Sequence, residues 1–215
     1  PKGMERNGET GANSLKWTSK YGSVVTSAFE IASTDGMNEK GLVANLLWLP
    51  ETEYPVRDQT KPGLAITAWV QYMLDNFANV EEAVAFIDEN TFQVVSDMMP
   101  DGSRLATLHL SISDATSDCA IFEYTGGKLT VYHSKEYKVM TNSPTYNKQL
   151  ALNEYWKSIG GLSFLPGTNR PSDRFARASF YINALPPTDD VRIAVASVFS
   201  VIRNTSVPYG ISTPE

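Results

Sequence analysis

The stretch ATLHLSISDATSDCAIFEYTGGKLTVY, residues 106–132, contains the clearest strand pattern in the chain. Apolar side chains at Ala106, Leu108, Leu110 and Ile112 alternate with polar ones, which predicts a strand buried on one face. The segments 120–124 and 128–132 are joined through two glycines, which tolerate the positive φ angles that a tight hairpin turn requires. This stretch therefore predicts antiparallel strands that follow one another along the chain.

A second hairpin is predicted nearer to the start of the chain. Residues 23–29 and 41–49 are rich in β-branched and apolar side chains, and they flank the turn-rich segment STDGMNEK at residues 33–40. We therefore expect two strands here, with residues 33–40 as the connecting turn.

Helical spacing of apolar residues covers much of the remaining chain. It predicts helices over residues 65–77, directly after Asn79, and over residues 146–156, 172–185 and 189–203. Asn79 and Glu82 form a capping-box pattern, and Thr188 is the expected N-cap of the last helix. Strands and helices in this order predict an α+β or layered αββα fold in one domain, residues 1–215.

The composition excludes several classes of function. The 215 residues carry 24 acidic and 18 basic side chains and a net charge of -6, without a Lys and Arg cluster, so no nucleic-acid partner is expected. No stretch approaches the roughly 18 consecutive apolar residues of a membrane-spanning helix, so no membrane partner is expected either. One cysteine and two distant histidines make a poor metal site, and we expect no cofactor.

Few residues suggest chemistry by themselves. Cys119 begins an apolar strand with no base beside it in sequence, so a buried structural role is favoured. His109 and His133 fall in no Ser/His/Asp arrangement and are expected to be ordinary strand residues. Asn142 directly precedes Ser143 and Pro144 at the expected end of a strand, where its amide could donate into a cleft or form a simple turn.

Arg174 lies in the first turn of a predicted helix, where a cation opposes the helix dipole. Such an arginine either serves a partner group or faces solvent, and the sequence pattern leaves both interpretations open.

A series of short motifs follows in order along most of the chain. They are GMER at residues 3–6, KWT at 16–18, YG at 21–22, GMNEKGL at 36–42, VMTNSPTY at 139–146, LPG at 165–167 and DRFAR at 173–177. In this combination they resemble the choloylglycine hydrolase family of linear-amide hydrolases, which includes bile salt hydrolases and penicillin V acylases. The resemblance implies the α+β, four-layer αββα fold of N-terminal-nucleophile hydrolases, of which this chain would form the central part.

The resemblance also implies a reaction and its residues. In this family a cysteine at the mature N-terminus attacks an amide carbonyl, forms an acyl-enzyme and is released by water, with its own α-amino group as the base. Asn142 matches the family asparagine whose amide donates to the oxyanion, and the backbone N–H of Trp48 would be the second donor. Arg174 matches the arginine near the nucleophile, where its charge favours the thiolate. Trp48 and Tyr146 are expected to line the acyl pocket.

A tryptophan at position 48 resembles the Gram-negative branch of the family, where bile salt hydrolases have asparagine and many penicillin V acylases have tyrosine. That branch is associated with penicillin V and acyl-homoserine lactones, and its members are usually exported, so a periplasmic location and a small-molecule amide substrate are expected. The family's N-terminal cysteine has no counterpart here, and a separate chain or segment is expected to supply it. A homo-oligomer stays open. The alternatives are a non-catalytic binding or assembly module on the same fold and a bile salt hydrolase.

Overall fold

The computed structural model describes residues 1–87, 92–160, 163–207 and 210. The chain divides into two compact units, Pro1–Tyr137 and Lys138–Glu215, and each is described by itself. The single domain over residues 1–215 therefore stays a prediction.

In its described residues, the first unit has ten strands, two α-helices and a short 3₁₀ helix, Ile66–Ala68. In chain order these are β1 (Glu5–Asn7), β2 (Lys16–Thr18), β3 (Ser23–Ala28), β4 (Ala32–Asn38), β5 (Val43–Trp48), β6 (Gly63–Ala65), α1 (Trp69–Asn76), α2 (Val80–Phe86), β7 (Gln93–Val95), β8 (Leu108–Ser113), β9 (Cys119–Thr125) and β10 (Lys128–His133). Six of them form one antiparallel sheet in the order β10-β9-β8-β5-β4-β3. Strands β1 and β2 pair antiparallel, and β6 and β7 pair parallel.

The C-terminal half of this sheet has the predicted form. Strands β9 and β10 make a hairpin through Gly126 and Gly127, whose φ angles are 56° and 73°. The alternating pattern of β8 places Leu110 and Ile112 in the core, where they are fully buried. The predicted hairpin is confirmed, and the predicted strand is present as Leu108–Ser113, but its polar face is also covered at His109, which is 0% exposed.

The predicted turn at residues 33–40 is wrong, because most of it is strand β4. The two turns lie on either side of β4, at residues with positive φ: Phe29 (54°) before it and Gly41 (85°) after it. Gly36 resembles a turn residue in sequence, but a Cβ there would lie 2.8 Å from Leu74 Cδ1. This glycine therefore permits close packing of helix α1 on the sheet.

Helix α1 covers one face of the sheet with a continuous apolar side. Its Trp69, Met73 and Leu74 are buried at 1% exposure or less in the core shared with the sheet. Asn79 caps α2 as predicted, accepting a hydrogen bond from the Glu82 backbone N–H at 2.8 Å. Both helices predicted in this region are confirmed.

The described part of the second unit contains three helices, α3 (Tyr146–Ile159), α4 (Pro171–Ala184) and α5 (Val191–Thr205), packed in sequence order. All three were predicted, but Thr188 is not the N-cap of α5. Asp190 occupies that position, and its carboxylate accepts from the Arg192 N–H at 2.8 Å, whereas Thr188 accepts from the Asp190 N–H at 3.2 Å.

Within the described ranges, no helix combines the length and the apolar character needed to cross a membrane.

Candidate active site

Asn142 and Arg174 are in direct contact in the second unit. Nη2 of Arg174 donates to Oδ1 of Asn142 at 2.8 Å, and Nε of the same arginine donates to the Asn169 carbonyl at 3.0 Å. Because an arginine can only donate, the Asn142 atom that faces it is the amide oxygen. The amide nitrogen of Asn142, with its two N–H donors, is therefore directed away from Arg174.

The segment around Asn142 differs in one respect from the sequence prediction. Residues 138–141 have no regular secondary structure, so Asn142 begins a bend and does not end a strand, and helix α3 begins only at Tyr146. Placing the amide in a short turn, and not at a strand end, leaves its orientation to tertiary hydrogen bonds.

Helix α4 brings Arg174 to this turn through a well-formed N-terminus. Pro171 occupies the first helical turn, where a missing N–H costs nothing, and Asp173 complements the helix dipole. Thr168 donates to the Asp173 carboxylate, and its hydroxyl also accepts from the Arg170 N–H at 3.2 Å. The favourable position of Asp173 offsets the unfavourable one of Arg174.

Arg177, the last residue of the DRFAR motif, has a structural role that the sequence did not reveal. Its Nη1 donates to the Pro166 carbonyl at 2.7 Å and to the Thr168 carbonyl at 2.8 Å, and its Nε donates to the Asn204 carbonyl at 3.3 Å. Arg177 thereby ties the LPG segment and the end of α5 to helix α4.

Tyr146 is buried at the start of α3. It is 1% exposed, and its ring meets that of Phe175 edge to face, with centroids 5.9 Å apart. The contact joins α3 to the residue that follows Arg174. The expected role of Tyr146 in an acyl pocket stays a prediction.

Trp48, in the first unit, ends strand β5. The next residue, Leu49, donates its N–H to the Thr107 carbonyl. Successive N–H groups along a β-strand point to opposite sides, so the N–H of Trp48 points the other way, towards β4. Pairing between β4 and β5 ends at the Asp35–Asn45 pair, three residues before Trp48. The backbone N–H of Trp48 thus points beyond the end of the ladder, which suits a donor to a ligand.

The indole of Trp48 lies beneath a cation. The Arg104 guanidinium carbon is 3.1 Å from the ring centroid. The loop that carries Arg104 is closed by a bond from the Met99 N–H to the Arg104 carbonyl at 2.7 Å. In the same loop, hydrogen bonds from the Ser103 hydroxyl and N–H hold the pKa of Asp101 below its usual range.

The remaining candidates have structural positions. Cys119 is buried at the start of β9, as predicted. His109 is fully buried and its Nδ1 lies 2.8 Å from the equally buried Glu123 carboxylate, a cross-strand pair that sequence reasoning missed. His133 contacts Asp118 at 2.8 Å. In the described part of the chain, no three His, Cys, Asp or Glu side chains form a metal-binding group.

Comparison with known proteins identifies the family. The model of the linear amide C–N hydrolases, choloylglycine hydrolase family, matches residues 1–215. A penicillin V acylase from Pectobacterium atrosepticum is 51% identical over 234 residues, which cover 100% of this chain and 62% of that protein.

Two solved structures extend the comparison. The penicillin V acylase from Agrobacterium tumefaciens superposes with a TM-score of 0.92 at 60% identity, covering 100% of this chain and 65% of that one. A variant of the conjugated bile acid hydrolase from Clostridium perfringens gives a TM-score of 0.77 at 28% identity, covering 98% and 70%.

This chain therefore spans less than two thirds of the length of either penicillin V acylase. The likeness confirms the predicted α+β class and the N-terminal-nucleophile hydrolase fold. The chain belongs to the linear amide C–N hydrolases of the choloylglycine hydrolase family.

Proposed function

We propose that the full-length protein containing this chain is a cysteine amidase that cleaves linear amides such as penicillin V. The observation that carries the proposal is the Arg174–Asn142 hydrogen bond of 2.8 Å, which directs the Asn142 amide nitrogen, a donor, away from Arg174. Similarity to two penicillin V acylases, at 51% and 60% identity, supports the substrate class. The acyl group would be apolar or aryl-acetyl, and the amine side would be polar.

The reaction needs a nucleophile from outside these 215 residues. In the proposed mechanism a cysteine at the mature N-terminus, on a segment or chain beyond this one, loses its thiol proton to its own α-amino group. The thiolate attacks the amide carbonyl, and the carbonyl oxygen becomes an oxyanion. The C–N bond then breaks, the amine leaves with the proton, and water hydrolyses the resulting thioester.

Asn142 and Trp48 are the proposed oxyanion donors. The side-chain Nδ2 of Asn142 and the backbone N–H of Trp48 would stabilise negative charge that develops only after attack. Losing one such donor typically lowers kcat by about 10² to 10³.

Arg174 has two proposed effects on the same step. Its hydrogen bond fixes the rotation of the Asn142 amide and polarises it, which strengthens the amide N–H groups as donors. Its positive charge would favour a nearby thiolate over the thiol.

Trp48 and Tyr146 are proposed to serve the acyl pocket, Trp48 by contact with the acyl group and Tyr146, which is 1% exposed, by supporting the turn that carries Asn142. The Trp48 ring offers a flat surface for an aryl group, and the contact with Arg104 shows that one of its faces accepts a cation. Tyr146 would contribute through its position beside the Asn142 turn, held there by Phe175.

The location and assembly of the protein are further proposals. The resemblance to the Gram-negative branch supports a periplasmic location, which fractionation of cells expressing the full-length gene would test. A homo-oligomer is compatible with the proposal, and light scattering of the purified protein would determine the assembly.

The decisive experiment combines intact-mass and N-terminal analysis with penicillin V turnover before and after thiol alkylation. We expect a polypeptide that begins with cysteine and loses turnover on alkylation. The matched control is Cys119→Ala, because Cys119 is buried and the proposal assigns it no chemistry. That variant should keep its turnover and remain sensitive to alkylation. Absence of an N-terminal cysteine together with absence of turnover would leave a non-catalytic module on this fold, whereas turnover that survives alkylation would rule out the cysteine mechanism.

A further inference from the structure

We propose that Gln149 is a positioning residue for the Asn142 amide, acting through the turn formed by residues 141–144. The inference rests on the proposed function, in which Asn142 donates to the oxyanion. Gln149 lies on α3, is 0% exposed, and makes its contacts with the two ends of that turn.

Both the nitrogen and the oxygen of the Gln149 side-chain amide form hydrogen bonds. Its Nε2 donates to the Thr141 carbonyl at 2.8 Å and to the Pro144 carbonyl at 2.6 Å. Its Oε1 accepts from the Thr141 N–H at 3.4 Å, and the Thr141 hydroxyl lies 3.1 Å away. A carboxamide can both donate twice and accept twice, so a carboxylate or an apolar side chain cannot reproduce this set of bonds.

Thr141 extends the arrangement to helix α4. Its hydroxyl also lies 2.8 Å from the carbonyl of Pro171, three residues before Arg174. The single hydroxyl hydrogen serves either this carbonyl or Gln149 at one time. Asn142 is thereby held from two sides, by Arg174 at its side chain and by Gln149 at the backbone of its turn.

This arrangement matters for the rate because a transition-state donor must be placed accurately. A displacement of about 1 Å in a catalytic group can cost about 10² in rate even when the changed residue lies outside the chemistry. The hydrogen bonds of the Gln149 side chain go to Thr141 and Pro144, so its effect on Asn142 passes through the turn.

The test uses the full-length protein with penicillin V and the variants Gln149→Glu and Asn153→Asp. Asn153 is the matched control, because it is a largely buried amide on the same helix, about one turn further on. Gln149→Glu keeps the acceptor and loses the two donors. We expect a 10- to 100-fold lower kcat with KM changed less than about threefold, whereas Asn153→Asp should keep both values within about threefold.

A double-mutant cycle separates positioning from simple loss of stability. If Gln149 acts through Asn142, adding Gln149→Glu to Asn142→Ala lowers kcat no further. An equal loss in both backgrounds, or native kcat in Gln149→Glu, would overturn the inference. If Asn142→Ala itself keeps native kcat, the oxyanion assignment of the proposed function fails, and this inference fails with it.

A second pair of variants covers the case in which Gln149→Glu does not fold. Thr141→Ser keeps the hydroxyl and should keep kcat within about threefold, while Thr141→Val removes it and should lower kcat at least about tenfold. Equal kcat values for the two Thr141 variants would contradict the proposed network.

Discussion

At the scale of single residues, the contact between Arg174 and Asn142 combines charge with geometry. The guanidinium reaches two acceptors at once, the Asn142 amide oxygen and the Asn169 carbonyl. A lysine would keep the charge but has no planar fork to hold both. The role of Arg174 in the account therefore depends on its shape as well as its charge.

We expect Arg174→Lys to retain part of the activity and Arg174→Ala to lose more, with kcat for penicillin V lowered by about 10-fold and about 100-fold. Steady-state kinetics of the full-length variants, with circular dichroism as the control for folding, measures both. Native kcat in Arg174→Ala would show that Asn142 needs no such partner.

Asn38, in the first unit, is a buried amide whose side chain holds backbone groups in place. It is 5% exposed and donates to the Leu74 and Phe77 carbonyls at 2.9 and 2.8 Å, while its oxygen accepts from the Lys40 and Leu42 N–H groups. One side chain therefore joins the turn after β4 to the end of helix α1.

Replacing Asn38 by Ala should lower the free energy of unfolding by about 3 kcal/mol, because buried backbone groups lose their partners. Urea unfolding measures the difference. Thr34→Ala on the same strand is the control, since its hydroxyl makes an exposed bond, and it should cost less than about 1 kcal/mol. Equal losses for the two variants would refute this role of Asn38.

At the scale of elements, the sequence predicts the features that are formed by residues close together in the chain. The β9–β10 hairpin follows from its alternation and paired glycines, and the α2 cap follows from Asn79 and Glu82, three residues apart. The sequence predicts a turn where strand β4 lies, because Gly36 and Asp35 are typical turn residues. Here the glycine admits Leu74, and Asp35 accepts a cross-strand bond from Asn45 at 2.9 Å.

The site divides in the same way. A motif resemblance marked Asn142 and Arg174, which the structure brings into contact, and their catalytic roles stay a prediction. The contacts of Gln149, and of Asn38 in the first unit, could not be predicted because packing sets their partners, and the two carbonyls to which Asn38 donates lie 36 and 39 residues away. Hydrophobic periodicity and secondary-structure propensity do not indicate which buried side-chain amide will hydrogen-bond to which backbone group.

The N-terminus of α5 gives an element-scale prediction. Asp190 accepts from two backbone N–H groups of the first turn, those of Arg192 and Ile193, whereas Thr188 binds only the Asp190 N–H. Asp190→Ala should therefore cost about 1 kcal/mol of unfolding free energy, and Thr188→Ala should cost less than half of that. Urea unfolding of both variants tests the assignment, and the reverse order would restore Thr188 as the cap.

At the scale of the whole molecule, the proposed substrate class is supported by similarity to known proteins. Two penicillin V acylases are 51% and 60% identical to this chain, whereas the bile acid hydrolase structure is 28% identical. The proposed role of Trp48 favours the same class, because a flat aryl ring can form an aromatic pair with an indole and a saturated steroid cannot.

We therefore expect kcat/KM of the full-length protein for penicillin V to exceed that for a glycine-conjugated bile acid by at least about tenfold. Parallel assays of amine release under the same conditions make the comparison. A preference for the bile acid would identify a bile salt hydrolase instead.

The central claim is that the Asn142 amide stabilises the oxyanion of an amidase, and kcat of full-length Asn142→Ala with penicillin V tests it most directly. The account predicts a fall of about 10² to 10³, with KM nearly unchanged and the fold intact by circular dichroism. A kcat within about threefold of the native value in a folded variant would contradict it.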